Sequence, residues 1–154
     1  MTLKNKLLSD EFLEGNNKYK CANCNRLTDA VKTSTIKTAP PILILNLNRF
    51  NKYGLKMKNQ FEFPLTYDLT SNIFKPKKSK LIYELTALII HEGRFSFRGH
   101  YFSYVKGFNN KWYKCDDEHI APIEDNEEIL TSCPYILFYR MKAISRKSYL
   151  NFAS

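Results

Sequence analysis

Strand-forming segments dominate the sequence from residue 31 onward, and they most restrict what this chain can fold into. The first half of segment 42–50 is apolar at every position, which predicts a central strand, and Pro64 restricts its own segment to an edge or a bend. Together the segments predict a mainly antiparallel β-sheet. They are VKTSTIKT (31–38), ILILNLNRF (42–50), FEFPLTYDL (61–69), LIYELTALIIHEG (81–93), GHYFSYVK (99–106), KWYKC (111–115) and YILFYRM (135–141).

Helical patterns occur at two places. Residues 2–14 carry Leu3, Leu7, Leu8 and Phe12 at helical spacing, and Gly15 is a suitable stop. The segment EDNEEILTS (124–132) predicts one helical turn. One helix at the start followed by antiparallel strands gives the α+β fold class.

The net charge would suit a nucleic-acid partner, but the distribution of the charges argues against one. The formal charge of +9 would suit nucleic acid. The Lys residues are scattered, however, and only the run KPKKSK (75–80) forms a cluster, which is typical of an exposed loop. We therefore do not expect a nucleic-acid partner.

The cellular compartment is inferred from what the sequence lacks. No segment is apolar over the length of a signal peptide or a membrane span. The four Cys residues are unevenly spaced and are expected to be reduced thiols or metal ligands. We expect an intracellular protein, in the cytoplasm or the nucleus, with no membrane association.

A His and two Asp residues lie at one end of a predicted hairpin. If the loop is GFNN (107–110), Lys106 faces Lys111 and His100 lies opposite Asp117, with Cβ atoms about 5 Å apart. A one-residue change in loop length would bring Asp116 to that position instead. The spacing therefore predicts a His–Asp pair but does not decide which Asp takes part.

Such a pair has two interpretations. A carboxylate on one ring nitrogen fixes the tautomer, so that the other nitrogen can act as a general base toward a thiol or hydroxyl. The alternative is a hydrogen bond that only caps the hairpin, because catalysis needs a third partner.

Seven stretches carry a resemblance to a known family. The chain resembles the C-terminal part of the catalytic domain of ubiquitin-specific proteases, over about residues 10–141. The most specific match is GHY followed by W-Y-x-x-D-D at hairpin distance. The stretches are YKCANC, TAPPILILNLNRF, NQFEFPLTYDL, YELTALIIHEG, GHYFSYV, KWYKCDDEHI and YILFYRM.

The resemblance implies a domain, a fold and an activity. Residues 1–141 would form the C-terminal part of a papain-like cysteine peptidase domain, followed by a tail at 142–154. The activity would be thiol-dependent hydrolysis of the isopeptide bond at the ubiquitin C-terminus. Ubiquitin and ubiquitinated proteins would be the partners.

Catalytic roles follow from the same resemblance. His100 matches the catalytic His of the family, Asp116 matches the acid that orients it, and Asp117 matches a neighbouring acid that supports the site in some members. The resemblance thus selects Asp116 where the predicted register favoured Asp117.

Substrate-binding roles also follow from it. Tyr101 and His91 match positions that line the channel for the ubiquitin tail, beneath a loop at 93–99. Phe61 and Phe63 match a substrate-facing strand. Ordinary strand packing remains an alternative for His91, Phe61 and Phe63, because aromatic side chains in strands usually belong to the core.

The family's nucleophile box, Gly-Asn-Thr-Cys, does not occur in these 154 residues. On the predicted register, Cys115 would be about 7–8 Å diagonally from His100 and on the same face, too far to replace the nucleophile. We therefore expect no peptidase activity from the chain alone. A non-catalytic ubiquitin-binding module is the alternative function.

Cys21 and Cys24 form half of a zinc knuckle. A structural zinc site needs four ligands, so the pair would bind zinc only if a second C-x-x-C were supplied. A remnant turn without metal is the alternative interpretation. No cofactor is expected to be required for activity.

Overall fold

The computed structural model describes residues 10–57, 61–74 and 79–142. This part of the chain forms eleven strands, one α-helix and two 3-10 helices, the latter at Gly15–Asn17 and Thr70–Asn72. The strands and the helix are β1 (Glu11–Leu13), β2 (Tyr19–Lys20), β3 (Leu27–Thr28), β4 (Ala30–Lys32), β5 (Ile42–Asn46), β6 (Thr66–Asp68), β7 (Ile82–Phe95), β8 (Arg98–Lys106), β9 (Trp112–Asp116), β10 (His119–Ile123), α1 (Asn126–Thr131) and β11 (Pro134–Met141).

A seven-stranded antiparallel sheet is the main element, as the strand-forming segments predict. Its order is β10-β9-β8-β7-β11-β5, and β6 pairs with the first residues of β7. The fourteen-residue β7 lies between β8 and β11 and therefore organises the sheet. The pairs β1–β4 and β2–β3 form two small separate sheets.

The core lies on one face of the large sheet. Leu88 of β7 and Leu137 of β11 are directly paired and have no exposed surface. Ile129 of α1 is also fully buried and belongs to the same hydrophobic cluster. The opposite face carries apolar side chains that other described residues leave exposed, including Ile44 at 58% and Val105 at 38%.

The predicted N-terminal helix is wrong where the structure describes it. Glu11–Leu13 form strand β1, paired with Ala30–Lys32 of β4. The Lys32 ammonium lies 3.0 Å from the Glu11 carboxylate across this pair, and Phe12 is 65% exposed instead of packing as part of a helical stripe. Residues 2–9 of the predicted helix lie outside the described residues.

One further expectation about strands needs correction, and one strand was not predicted. Strand β5 is the last strand of the sheet, not a central one, and alternates between buried Leu43 and Leu45 and exposed Ile42 and Ile44. The apolar run therefore has one face in the core and one face exposed, and does not indicate burial on both faces. Strand β10 has no counterpart among the predicted segments; it contains Pro122, which is tolerated because β10 is an edge strand.

Candidate active site

The β8–β9 hairpin sets the geometry of the candidate site. Its last paired residues are Lys106 and Trp112, so the loop holds five residues, Gly107 to Lys111, and not the predicted four. The loop is closed by a 2.9 Å hydrogen bond from the Gly107 amide to the Lys111 carbonyl, and Asn110 adopts a φ of +62°. The extra residue shifts the register by one, so the predicted pairing of His100 with Asp117 is wrong.

The shifted register brings Asp116 to the catalytic candidate His100. Cys115 pairs with Ser103, so the next residue, Asp116, lies on the face of β9 that His100 and Phe102 share on β8. The two side chains are diagonal neighbours across the strand pair, within reach of each other. His100 Nε2 lies 2.5 Å from Asp116 Oδ1.

Asp117 lies in the two-residue turn between β9 and β10, where His119 pairs with Asp116. Its φ of +51° is one that Asp tolerates better than most residues. The carboxylate still faces the pair: the potential ligand atoms of His100, Asp116 and Asp117 all lie within 4.8 Å of one another. All three residues selected from the sequence therefore converge at one point.

Electrostatics favours the ionic form of the pair. The hydrogen bond to Asp116 raises the pKa of His100 above its ordinary value, and the negative charges of Asp116, Asp117 and Glu92 act in the same direction. The hydrogen bond from His100 lowers the pKa of Asp116, with help from Lys114, whose ammonium lies 3.5 Å from the second carboxylate oxygen. Each partner thus stabilises the charge of the other.

The contact also determines the tautomer. An ionised Asp116 only accepts hydrogen bonds, so a neutral His100 must carry its proton on Nε2. Nδ1 then keeps its lone pair and can accept a proton from an approaching group. The His100 side chain is 47% exposed, which leaves room for such a group.

An aromatic cluster around the buried His91 ring supports the strand that carries His100. The His91 ring is 1% exposed and lies 4.6 Å from the ring of Tyr101 and 5.5 Å from that of Phe50, measured between centroids. Desolvation lowers the pKa of His91, and the positive charge of Lys56 lowers it further. Neither ring nitrogen has a hydrogen-bond partner among the described residues, so the contacts of His91 are those of a packing group.

Gly99 makes this packing possible. A Cβ at this position would lie 2.2 Å from His91 Nε2 and 2.4 Å from the Glu92 carbonyl oxygen. The Gly of the GHY sequence is therefore needed because the His91 ring occupies the space of a side chain. The contact fixes the backbone directly before His100.

The candidate substrate-binding residues differ in exposure. Tyr101 is 48% exposed and lies against His91, so it offers an aromatic surface beside His100. Phe61 and Phe63 are 7% and 5% exposed and belong to the hydrophobic core. Burial favours the packing alternative for both Phe residues and for the His91 ring.

Comparison with known proteins gives the family. The family model described as ubiquitin carboxyl-terminal hydrolase matches residues 2–139. The chain belongs to this family.

Named relatives agree with this membership. The chain is 39% identical over 130 residues to the mouse ubiquitin carboxyl-terminal hydrolase 17-like protein D, covering 84% of this chain and 24% of that protein. It is 36% identical over 138 residues to the human 17-like protein 20, covering 89% and 26%. The chain thus spans about a quarter of the length of these hydrolases.

Solved structures resemble the fold. The SAGA Ubp8/Sgf11/Sus1/Sgf73 DUB module bound to ubiquitin aldehyde matches with a TM-score of 0.75 and 28% identity, over 92% of this chain and 33% of that chain. A SAGA DUB module bound to monoubiquitin matches with a TM-score of 0.76 and 30% identity, over 92% and 32%.

Cys115 of this ubiquitin carboxyl-terminal hydrolase family member lies on the wrong face to serve as nucleophile. Because it pairs with Ser103, its side chain is on the face opposite to that of His100. The prediction that both share a face is therefore wrong, although the conclusion that Cys115 cannot reach His100 is strengthened.

The Cys21–Cys24 pair lies at the tip of the β2–β3 hairpin. The Cys21 amide donates to the Arg26 carbonyl at 2.9 Å, and the Asn25 amide donates to the Cys21 carbonyl at 2.8 Å. Backbone hydrogen bonds from Cys24 and Asn23 lower the pKa of the Cys21 thiol, which favours the thiolate that binds metal. No third potential ligand joins the pair in the part of the chain that the structure describes, so the residues fit half a zinc site.

Sequence reasoning missed two charged neighbours of the site. Lys114 lies two residues before Asp116 and so on the same face of β9, a signal that strand alternation could have provided. Glu92 on β7 pairs directly with His100 on β8. Finding this neighbour from the sequence would have required the register of the β7–β8 pair.

Proposed function

We propose that this chain supplies the His–Asp half of a thiol-dependent ubiquitin hydrolase with a papain-like fold. The observation that carries the proposal is the 2.5 Å contact between His100 Nε2 and Asp116 Oδ1, with Nδ1 available as a base. The bond cleaved is the isopeptide bond that follows the C-terminal Gly of ubiquitin. The thiol comes from a polypeptide segment outside these 154 residues.

His100 would move protons in both halves of the reaction. Its Nδ1 accepts the proton of the thiol, and the thiolate attacks the carbonyl carbon of the isopeptide bond. The resulting imidazolium gives its proton to the leaving amine, and the acyl group remains as a thioester. His100 then takes a proton from water, whose oxygen attacks the thioester carbon. The C–S bond breaks, the ubiquitin carboxylate is released, and the imidazolium returns its proton to the departing thiolate.

Asp116 would act through His100. Its carboxylate keeps the neutral ring in the Nε2–H tautomer and stabilises the imidazolium that forms during catalysis. Asp117 and Glu92 add negative charge around the ring, which stabilises the same cation. Asp117 is thus a supporting residue, and Asp116 the orienting one.

Among the candidate substrate-binding residues, Tyr101 is the one best placed to contact substrate, because its ring is half exposed. Its half-exposed ring lies one residue after His100 and offers an apolar wall for a tail that ends in two glycines. His91 supports that wall from below. The related SAGA DUB modules were solved bound to ubiquitin aldehyde and to monoubiquitin, which supports ubiquitin as the ligand.

A ubiquitin-binding module without catalysis is the second candidate. One observation favours it: no thiol of the described residues lies on the His100 face of the β8–β9 pair, since Cys115 lies on the other face. In this case the chain binds ubiquitin, and no added segment restores cleavage. In both cases the chain alone is inactive as a peptidase.

A chimera distinguishes the two candidates. The part of the domain that this chain lacks is taken from mouse 17-like protein D, and cleavage of a fluorogenic ubiquitin-amide reporter is measured. We expect cleavage by the chimera, and a loss of about 10²–10⁴-fold in kcat for His100→Ala, the range of general acid–base catalysis. Binding of ubiquitin should change little.

His119→Ala is the matched control. His119 is exposed on β10 and pairs with Asp116 in the sheet, so this variant removes an imidazole near the same carboxylate. It should leave kcat unchanged. Full cleavage by the His100→Ala chimera would contradict the assignment of the base, and ubiquitin binding by a folded chimera that never cleaves would favour the second candidate.

Zinc would be held by Cys21 and Cys24 together with a second C-x-x-C from outside this chain. When bound, the ion would tie the β2–β3 hairpin to that segment and would take no part in the reaction. The chain alone should bind Zn²⁺ weakly, and Cys24→Ser should abolish that binding. Tight stoichiometric binding by the isolated chain would contradict the half-site interpretation.

A further inference from the structure

Arg49, three residues after β5, is a buried cation that lacks a counter-ion. Its side chain is 5% exposed. Among the described residues, its only side-chain hydrogen bond runs from Nη2 to the Cys133 sulfur, and Nε is buried without a partner. Cysteine sulfur is a weak acceptor, so this contact does not replace the two parallel hydrogen bonds that a guanidinium can form with a carboxylate.

No carboxylate side chain of this sequence pairs with Arg49. All 15 Asp and Glu residues fall within the described ranges. Arg49 is absent from the ion pairs that those ranges form within 4.0 Å. A buried guanidinium without a paired charge costs several kcal/mol, so its retention points to a partner from outside the chain.

An open cavity of about 1010 Å³ is lined by two residues that are hydrogen-bonded to Arg49, while Arg49 itself lies behind the lining. Cys133, which receives the Arg49 hydrogen bond, lines it, and so does Met57, whose amide donates to the Arg49 carbonyl at 2.7 Å. Lys56 and Arg94 add positive charge to the lining, which contains no acidic residue. The surroundings of Arg49 therefore favour an anion over a cation or an apolar group.

The cavity is held between two segments that are tied together. The Lys56 amide donates to the Arg94 carbonyl, and the Ser96 amide donates to the Gly54 carbonyl, both at 2.9 Å. The Lys56 ammonium also donates to the His91 carbonyl. The charges of Lys56 and Arg94 thus lie on two segments whose backbones are hydrogen-bonded to each other, next to the aromatic cluster of the candidate active site.

We propose that Arg49 binds a carboxylate carried by a polypeptide segment outside these 154 residues, with Arg94 and Lys56 at the rim. A guanidinium matches a carboxylate because its N–H groups form two parallel hydrogen bonds with the two oxygens. Free phosphate offers the same oxyanion chemistry. The site does not depend on the proposed hydrolase activity.

The direct test follows the Arg49 Nε–H signal in ¹⁵N-arginine NMR of the full chain. Sodium acetate and sodium phosphate are titrated separately at constant ionic strength. We expect acetate to shift the Arg49 signal saturably and to raise Tm to a plateau. The signal of exposed Arg98 should not move, because that side chain lies outside the site.

Two charge variants give a matched comparison. Arg94→Gln removes a rim charge and should weaken acetate binding by about 2- to 5-fold, the equivalent of a surface charge pair. Arg140→Gln removes an exposed charge on β11 and should not change it. Equal effects of the two variants would overturn the assignment of the rim.

The remaining outcomes separate the sources of the anion. Saturation by phosphate but not by acetate would overturn the carboxylate in favour of free phosphate, and no saturable response to either would overturn the site. In the chimera described above, the Arg49 signal should no longer respond to acetate, because the polypeptide carboxylate occupies the site. An undiminished acetate response in a folded chimera would overturn the polypeptide source.

Discussion

Replacing Gly99 by Ala tests how the strand that carries His100 is positioned. The added Cβ would lie 2.2 Å from His91 Nε2 and 2.4 Å from the Glu92 carbonyl oxygen, about 1 Å closer than van der Waals contact. His91 is 1% exposed and packs against Tyr101 and Phe50, so moving its ring aside would disturb both contacts. We expect an overpacking cost of about 1–3 kcal/mol.

Urea unfolding of four proteins measures this cost and its origin: wild type, Gly99→Ala, His91→Ala and the double variant. Removing the ring eliminates the contact with Nε2 but keeps the contact with the Glu92 carbonyl. The cost of Gly99→Ala should therefore be smaller, but not zero, in the His91→Ala background. The coupling should fall within about 0.5–3 kcal/mol, the range for residues in contact.

Two results would refute this reasoning. Unfolding of Gly99→Ala at the wild-type urea concentration would show that the backbone before His100 is not held by packing against β7. An equal cost of Gly99→Ala with and without the His91 ring would assign that cost to the backbone contact alone.

Three other changes test the pair, the core and the helix. Asp116→Asn should destabilise the chain most between about pH 4 and 6.5. The stabilisation from Asp116 is lost as pH falls through its lowered pKa, and that from His100 is lost as pH rises through its raised pKa. A difference in Tm that does not depend on pH would contradict this. Leu88 is fully buried, so Leu88→Ala should lower the free energy of unfolding in urea by about 2–5 kcal/mol. Ile44 is exposed, so Ile44→Ala should lower it by about 0.5 kcal/mol or less. Asp125→Ala should cost about 0.5–2 kcal/mol, because its carboxylate accepts the 2.9 Å N-cap hydrogen bond of α1; unchanged stability would contradict the cap.

Apart from β10, the strands of the large sheet were predictable because their segments form apolar and aromatic runs. The hairpin register was not, because it depends on whether Lys111 pairs or belongs to the loop, and that one residue decides which Asp approaches His100. Family resemblance selected Asp116 correctly as the neighbour of His100, where the counted register selected Asp117.

A local pattern also cannot reveal what covers a residue. Phe12 fits a helical stripe, and the helix prediction is wrong there because Phe12 pairs with Val31 of β4. For Phe61 and Phe63, the sequence left substrate contact and core packing open, and their burial favours packing. Arg49 gave no signal in the sequence, because only the fold shows a cation enclosed without a carboxylate.

The tautomer and the pKa of His100, measured by ¹⁵N NMR across a pH titration, test the central claim most directly. Above its pKa, we expect the ring to carry its proton on Nε2, bonded to Asp116. The pKa itself should exceed the ordinary value and fall in Asp116→Asn. A ring protonated on Nδ1, or a pKa that Asp116→Asn does not change, would contradict the pairing on which the proposed function depends.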